Sequence, residues 1–167
     1  LFHADADPWQ EIDGVLVCSG HPKGYLYSDT PYANFTLRAE YRFAPVADDA
    51  KAPLANTGFM IHIQPPHKTW PRSLEVQGRW DEMASIKANG GAADIDINDD
   101  AAARESDRKP IGEWNAVEII SKDGALTASL NGQLICTGEP GELTAGLLGL
   151  QSELYEVHFR RLRIRTD

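Results

Sequence analysis

The sequence predicts an all-β fold, a two-sheet antiparallel β-sandwich formed by a single domain over residues 1–167. Three observations support this prediction. Apolar and polar residues alternate with period two through much of the chain, turn residues recur about every ten positions, and the 3.6-residue period of an amphipathic helix is scarce. Because alternation buries one face of each strand, two such sheets must pack together to cover their apolar faces.

The strand pattern occurs in eleven segments. In chain order they are Gly14–Cys18, Tyr25–Tyr27, Phe35–Phe43, Gly58–Ile63, Ser73–Gln77, Met83–Lys87, Trp114–Ser121, Ala125–Leu130, Gln133–Thr137, Gly146–Gln151 and Glu156–Arg165.

Two hairpins are indicated by their turn residues. Lys122-Asp123-Gly124 is expected to reverse the chain once, and Asn131-Gly132 is a dipeptide that favours a type I′ turn. Between Asn89 and Pro110 the alternation lapses into Gly, Ala, Asp and Arg, which predicts a long surface loop with a short helical turn at residues 100–105.

Charge and motif content exclude several classes of function. The formal net charge of -9 and pI near 5.0 argue against a nucleic-acid partner. No apolar run approaches the roughly 20 residues of a membrane helix. The chain has no CxxC, no P-loop and no GxSxG motif. Because it begins at Leu1 without an initiating Met, we expect a processed or trimmed soluble domain.

Cysteines and acidic residues leave two questions for the structure. Cys18 and Cys136 could form one disulfide or remain two buried thiols, and their number alone does not decide. The run from Asp94 to Asp100, followed by Glu105, imitates a calcium-binding loop. Its sixth position is Asp99 where such a loop needs Gly, so we expect a solvated acidic loop.

Alternation places polar side chains on the non-core faces of four predicted strands. The outward residues are Glu40 and Arg42 in the first, Met60 and His62 in the second, Glu75 and Gln77 in the third, and Gln151 with Glu153 at the end of the fourth. Planar polar side chains of this kind can match several sugar hydroxyls at once, and Trp70, Trp80 and Trp114 are available to stack on sugar rings. A carbohydrate-binding platform is therefore predicted.

Simpler roles are open for several of these residues. Glu40 and Arg42 could form only a surface ion pair, which contributes little to stability. His62 could be a plain polar residue of the sheet. Glu75 and Gln77 could serve the structure alone, and Trp114 could be a core or edge anchor.

Short motifs along nearly the whole chain resemble the bacterial 3-keto-disaccharide hydrolase domain family, whose fold is a jelly roll related to concanavalin A and laminin-G domains. The motifs are Trp9 through Asp13-Gly14, Gly24 to Ser28, Tyr32 with Phe35 to Arg42, Asn56 to Phe59, Leu74 to Gln77, Gly112 to Asn115, Leu130 to Gly132, and Gly146 to Gln151 followed by Val157 to Ile164. Their order and spacing carry the likeness.

The resemblance implies a secreted or periplasmic bacterial enzyme that cleaves glycosides oxidised at C3 of the sugar. A C3 ketone acidifies the C2 proton, so a base can remove it and the C1 substituent can leave by elimination before water adds. The implied residues are His62 or Glu75 as base, Arg42 and Gln77 as ligands that orient the sugar, and Trp80, Gln151 and Glu153 along the cleft. The ketone could be polarised by a protein group or by a divalent metal ion.

The competing hypothesis is a non-catalytic glycan-binding or adhesion module on the same fold, because a fold does not determine function. An enzyme should bring its polar residues together in one cleft around a base. A binding module should instead present exposed coplanar aromatic rings. The sequence leaves the glycoside and the oligomeric state open.

Overall fold

The computed structural model describes residues 7–45 and 54–166, which form thirteen strands and one α-helix. The strands are β1 (Trp9–Ile12), β2 (Val15–Cys18), β3 (Gly24–Tyr27), β4 (Phe35–Phe43), β5 (Gly58–Ile63), β6 (Ser73–Gln77), β7 (Ile86–Asn89), β8 (Ile97–Asp99), β9 (Asn115–Lys122), β10 (Ala125–Leu130), β11 (Gln133–Gly138), β12 (Leu147–Ser152) and β13 (Val157–Thr166). The helix, α1, is Ala101–Asp107.

These strands form the predicted two-sheet antiparallel β-sandwich. The larger sheet has eight strands in the order β1-β2-β13-β4-β9-β10-β11-β8. The smaller sheet has five strands in the order β3-β12-β5-β6-β7. Strands that are distant in sequence, such as β4 and β13, are neighbours in the larger sheet, so the two halves of the chain are interleaved.

The core lies between the sheets and is built from the faces that alternation predicted for β4 and β6. Phe35, Leu37, Ala39, Tyr41 and Phe43 of β4 are all buried, as are Leu74 and Val76 of β6. The ring of Phe59 in the smaller sheet has its centroid 5.5 Å from that of Tyr41 and 6.0 Å from that of Phe159, both in the larger sheet. This packing fixes how the two sheets lie on each other.

Both predicted hairpin turns are confirmed. Asp123 and Gly124 have φ values of 50° and 86°, and Asn131 and Gly132 have 50° and 93°. Two successive positive φ values are the conformation of a type I′ turn, which Asn and Gly adopt at low cost. They join β9 to β10 and β10 to β11.

The segment predicted as a long loop contains more structure than its composition suggested. It holds the edge strand β8 and the helix α1, whose first turn is capped by the Asp100 side chain accepting a hydrogen bond from Ala103 N at 2.9 Å. Arg104 on this helix is buried, donates to Met83 O at 2.8 Å and pairs with Asp99. The acidic run therefore caps a helix and pairs an arginine. Strand β1 was also missed by the sequence pattern.

Strand β5 breaks the predicted alternation. His62 has a φ of 55°, and the pairing with β12 shifts register between Leu147 and Gly149, which marks a bulge. Because the bulge inserts an extra residue, His62 turns into the space between the sheets and Ile63 joins Met60 and Tyr25 on the outer face. The prediction that His62 faces outward and Ile63 inward is wrong.

Cys18 and Cys136 are both buried and free, so the two thiols are not bridged. Cys18 lies on β2 and Cys136 on β11, in different parts of the larger sheet.

No helix within residues 7–45 and 54–166 has the length and hydropathy of a membrane-spanning segment.

Candidate functional site

A polar cluster lies on the outer face of the five-stranded sheet, where strand register brings together residues from β12, β5, β6 and β7. Gly58 pairs with Gln77, and Glu75 pairs with both Met60 and Lys87. Gln151 of β12 approaches Gly58 from the opposite side. We call Glu75, Gln77, Lys87, Asn89 and Gln151 the outer-face cluster.

Gly58 forms the floor of this cluster. A Cβ atom built at Gly58 would lie 2.5 Å from Oε1 of Glu75 and 2.6 Å from Oε1 of Gln151, closer than real Cβ contacts come. The absence of a side chain at this position therefore lets the carboxylate and the amide lie flat across the sheet. The glycine is required by this close approach.

Glu75 is the buried acid of the cluster, with its side chain 3% exposed. Its Oε2 accepts a hydrogen bond from Asn89 Nδ2 at 2.9 Å, and Lys87 Nζ lies 3.7 Å from its Oε1. Burial raises the pKa of the Glu75 carboxyl, although the Lys87 charge and hydrogen bonds from Gln151 and Asn89 oppose the rise. A carboxylate with a raised pKa is a better proton acceptor, which suits a general base.

Gln151 has unused hydrogen-bonding capacity. The residue is 1% exposed, and within the described part of the chain its Oε1 atom has no hydrogen-bond partner. Its backbone is fixed because Thr57 Oγ1 donates to Gln151 O at 2.8 Å. A buried acceptor without a donor costs free energy, so a ligand hydroxyl that donated to Oε1 would remove the penalty.

Gln77 and Glu153 border the cluster. Gln77 Oε1 accepts from Arg79 N at 2.8 Å, and its Nε2 is a donor for a ligand. Glu153 forms an ion pair with Lys23 at 3.5 Å, and its negative charge contributes to raising the pKa of Glu75. The structure thus brings together four of the site residues that the sequence predicted: Glu75, Gln77, Gln151 and Glu153.

His62 does not join them. Its ring is fully buried between the sheets, where Nδ1 lies 2.9 Å from Leu143 O and Nε2 lies 3.3 Å from Ser121 Oγ. Phe35 packs edge-on against the ring at 6.1 Å. Burial lowers the pKa of His62. These contacts make it a hydrogen-bonded core residue, and its predicted place beside Glu75 is wrong.

Arg42 is on the wrong sheet for the predicted site. It belongs to β4, and its guanidinium lies 4.7 Å from the ring centroid of Trp114. Arg160 covers the same ring at 4.0 Å, and Arg160 is in turn paired with Glu40 at 2.7 Å. Arg42 and Trp114 therefore form a charged and aromatic patch on the outside of the eight-stranded sheet.

Trp80 lies in a short 3₁₀ helix directly after β6, at the edge of the core. The Arg108 guanidinium stacks on its ring at 3.7 Å, and its Nε1 donates to Lys109 O at 3.1 Å. The ring is thus engaged by the segment that follows α1. Its expected role in stacking on a sugar has no support in this geometry.

Lys87, Asn89 and Gly58 were missed by the sequence reasoning. Lys87 and Asn89 come from β7, which was predicted as Met83–Lys87 but is observed as Ile86–Asn89. With the correct bounds, pairing of β7 with β6 would have placed Lys87 opposite Glu75. Gly58 could have been suspected because a glycine inside a strand pattern often marks a close approach.

Among residues 7–45 and 54–166, no group of three or more His, Cys, Asp or Glu side chains is arranged to hold a metal ion. Around Glu75 the Lys87 ammonium and the Asn89 and Gln151 amides lie beside the carboxylate, where their N–H groups can hydrogen-bond to it.

Residues 2–165 match the sequence model of the 3-keto-alpha-glucoside-1,2-lyase-like domain. The chain belongs to this family. Family membership confirms the resemblance seen in the sequence motifs and makes this a carbohydrate-related domain. No curated protein has a sequence that matches this chain.

Solved structures extend the likeness at the level of fold. Two proteins from Parabacteroides distasonis, each named only as a candidate glycosyl hydrolase, superpose on this chain with a TM-score of 0.70 at 20% and 21% identity. Each superposition covers 98% of this chain, and the two cover 85% and 93% of the Parabacteroides chains. A carbohydrate-binding module from Bacillus subtilis has a TM-score of 0.65 at 10% identity, covering 95% of this chain and 91% of that one. These solved structures share the fold of this chain, which confirms the predicted jelly-roll β-sandwich.

Proposed function

We propose that this 3-keto-alpha-glucoside-1,2-lyase-like domain cleaves glycosides whose sugar carries a ketone at C3, with Glu75 as the base. The observation that carries the proposal is the buried Glu75 carboxylate, surrounded by the Lys87 ammonium and the Asn89 and Gln151 amides on the Gly58 floor. A lone base among hydrogen-bond donors suits proton abstraction next to a carbonyl.

The reaction balances as an elimination followed by addition. Glu75 takes the C2 proton, and the electron pair of the C2–H bond moves toward the C3 ketone to give an enolate. The enolate then forms a C1–C2 double bond as the C1–oxygen bond breaks, and the departing oxygen takes a proton from water. The protonated Glu75 releases the C2 proton to water and is ready for another turnover. Addition of water across C1 and C2 gives the free 3-keto sugar, and the net change is hydrolysis.

Negative charge develops on the C3 oxygen during the first step, and the cluster supplies groups that stabilise it. The Lys87 ammonium is the nearest cation to Glu75, and the Nε2 atoms of Gln77 and Gln151 and the Nδ2 atom of Asn89 are hydrogen-bond donors. The unpartnered Gln151 Oε1 would accept a sugar hydroxyl. Glu153 at the border of the cluster is paired with Lys23 and would accept a hydrogen bond from a sugar hydroxyl.

This assignment differs from that of ordinary glycosidases, which use two carboxylates flanking the scissile bond at a defined separation. The C3 ketone makes the second catalytic carboxylate unnecessary for proton abstraction, because the carbonyl already acidifies C2. An unoxidised glucoside should therefore not be cleaved. This difference in substrate is the first test of the mechanism.

The experiment measures release of 4-nitrophenol from the 3-keto form of 4-nitrophenyl glucoside, with the unoxidised glucoside alongside. Glu75→Gln should lower kcat by at least about 10³-fold, the upper part of what a general base contributes. The matched control is Glu118→Gln, which changes a carboxylate of β9 that is paired with Arg38 on the other sheet. Equal activity of Glu75→Gln and wild type would refute the assignment.

The glycan-binding alternative has its own outcome in the same experiment. If the protein binds the 3-keto glucoside by calorimetry and releases no 4-nitrophenol, the domain is a binding module. Location in the periplasm or outside the cell is part of the proposal, and fractionation of the producing bacterium tests it.

A further inference from the structure

The larger sheet has an unpaired strand edge at the C-terminal half of β13. Strand β2 pairs with β13 only at residues 157–159, whereas β4 pairs with it as far as Thr166 on the other side. Within residues 7–45 and 54–166, no strand pairs with Arg161–Thr166 along the remaining side. Backbone groups on such an edge are available to an added strand.

Apolar side chains of this edge line an open cleft between the sheets. Leu162 and Ile164 are 39% and 37% exposed, although both are large hydrophobic residues. They line a cavity of about 290 Å³ together with Leu16, Leu37 and, from the smaller sheet, Leu26, Leu148 and Leu150. The sandwich is therefore not closed at this side, and the cleft has room for further apolar side chains.

Arginines alternate with these apolar residues. In the register of β13 with β4, Arg163 lies opposite Arg38 and Ile164 lies opposite the buried Leu37. Arg163 and Arg165 are therefore on the outer face, while Leu162 and Ile164 face the cleft. Glu118 pairs with Arg38, and Glu40 pairs with Arg160 and Arg161. Within the described part of the chain no carboxylate pairs with Arg163 or Arg165, and both are exposed.

The positive charges of Arg163 and Arg165 determine which kind of strand can pair with this edge. Like charges directly opposite each other on neighbouring strands are destabilising, so a basic strand or a second copy of β13 is disfavoured. Acidic side chains would neutralise Arg163 and Arg165. Because the chain as a whole carries a formal charge of -9, this positive strand is a local exception to its surroundings.

We propose that the β13 edge binds an extended segment of a partner protein in which acidic and apolar residues alternate. The segment adds a strand beside Arg161–Thr166, its apolar side chains enter the cleft next to Leu162 and Ile164, and its acidic side chains lie beside Arg163 and Arg165. Strand addition of this kind takes affinity from backbone hydrogen bonds and specificity from alternate side chains. The site is separate from the outer-face cluster around Glu75.

The test uses a fluorescein-labelled octapeptide in which Asp alternates with Val, capped at both ends, and measures anisotropy with the whole chain. The control peptides replace Asp by Lys, or carry N-methyl groups on alternate residues of the strand. We expect saturable binding of the Asp peptide and at least tenfold weaker binding of both controls. Higher salt should also weaken binding, because the charges are exposed.

Variants of the protein locate the site. Arg163→Glu together with Arg165→Glu should weaken binding of the Asp peptide about tenfold or more, since two favourable cross-strand charge pairs become repulsive. Arg163→Gln with Arg165→Gln gives an intermediate effect and protects against a folding failure of the first variant. Lys68→Glu, in the segment between β5 and β6 of the other sheet, should have none. Equal binding of the Lys peptide, or undiminished binding by the charge-reversed protein, would overturn the proposal. So would binding of decanoate with no binding of the peptide, because the cleft would then be a lipid site.

Discussion

Gly58→Ala is the change that tests most sharply how the sheet holds its polar cluster. The added Cβ would lie 2.5 Å from Glu75 Oε1 and 2.6 Å from Gln151 Oε1, whereas ordinary contacts begin at 3.4 Å. Each oxygen must therefore move by about 0.8–0.9 Å. Displacement of a reacting group by about 1 Å can cost roughly 10²-fold in rate, so we expect kcat for the 3-keto glucoside to fall about 10²-fold.

Stability should respond differently from activity. Gly58 has no positive φ, so alanine fits its backbone and lowers the entropy of the unfolded chain, which stabilises by about 0.4–1 kcal/mol. Displacement of the two side chains opposes this gain. We expect the Tm to stay within a few degrees of wild type, since about 1 kcal/mol corresponds to roughly 2–4 °C for a domain of this size.

The matched control is Gly149→Ala, on the same face of the neighbouring strand. Its Cβ would lie 2.9 Å from Ile63 Cδ1 and 3.0 Å from Leu26 O, and it would meet neither Glu75 nor Gln151. We expect lower thermal stability with little change in kcat. The reasoning about the glycine floor is refuted if Gly58→Ala keeps full kcat, or if the two variants lose activity equally while both remain folded.

Three further predictions concern ionisable residues. Glu75→Gln should raise the free energy of unfolding at neutral pH. Because the Glu75 pKa is raised, the folded state binds the carboxyl proton more tightly than the unfolded state, and wild type loses stability as pH rises from about 4.5 through the folded pKa. The free energies of wild type and variant should therefore converge in acid. His62→Ala should lower that free energy by roughly 2–5 kcal/mol, as for other large-to-small core changes. The lowered pKa of His62 means that the folded state binds its proton less tightly, so stability is lost as pH falls below about 6.5, and His62→Ala should flatten this part of the profile measured by urea denaturation. Arg42→Ala should leave kcat/KM within about twofold of wild type in the aglycone-release assay, because its guanidinium stacks on Trp114 on the outside of the eight-stranded sheet. A larger loss would place Arg42 in the site.

Alternation predicted the strands and their buried faces well where strands are regular. Strand β4 has the predicted bounds, and all of its expected core residues are buried. Glu75 and Gln77 of β6 face away from the apolar core as predicted, because that strand pairs without a bulge on both sides. In these strands the alternation of apolar and polar residues is sufficient to predict which side chains are buried.

The same pattern failed at β5 and at Arg42 for two different physical reasons. The bulge at His62 inserts a residue with positive φ, and neither the bulge nor its effect on the following side chains can be read from residue types. Arg42 does face outward, but alternation shows only which side of its own strand is polar. Whether two outward faces belong to the same sheet depends on strand order, which places β4 and β6 in different sheets.

The most direct test of the account is the fate of the C2 hydrogen. A 3-keto glucoside carrying deuterium at C2 should lose it to solvent water as aglycone is released by the wild-type protein, with a primary isotope effect on kcat, and Glu75→Gln should abolish both events. Release of aglycone with deuterium retained at C2, or loss of deuterium at an undiminished rate in Glu75→Gln, would contradict proton abstraction by Glu75.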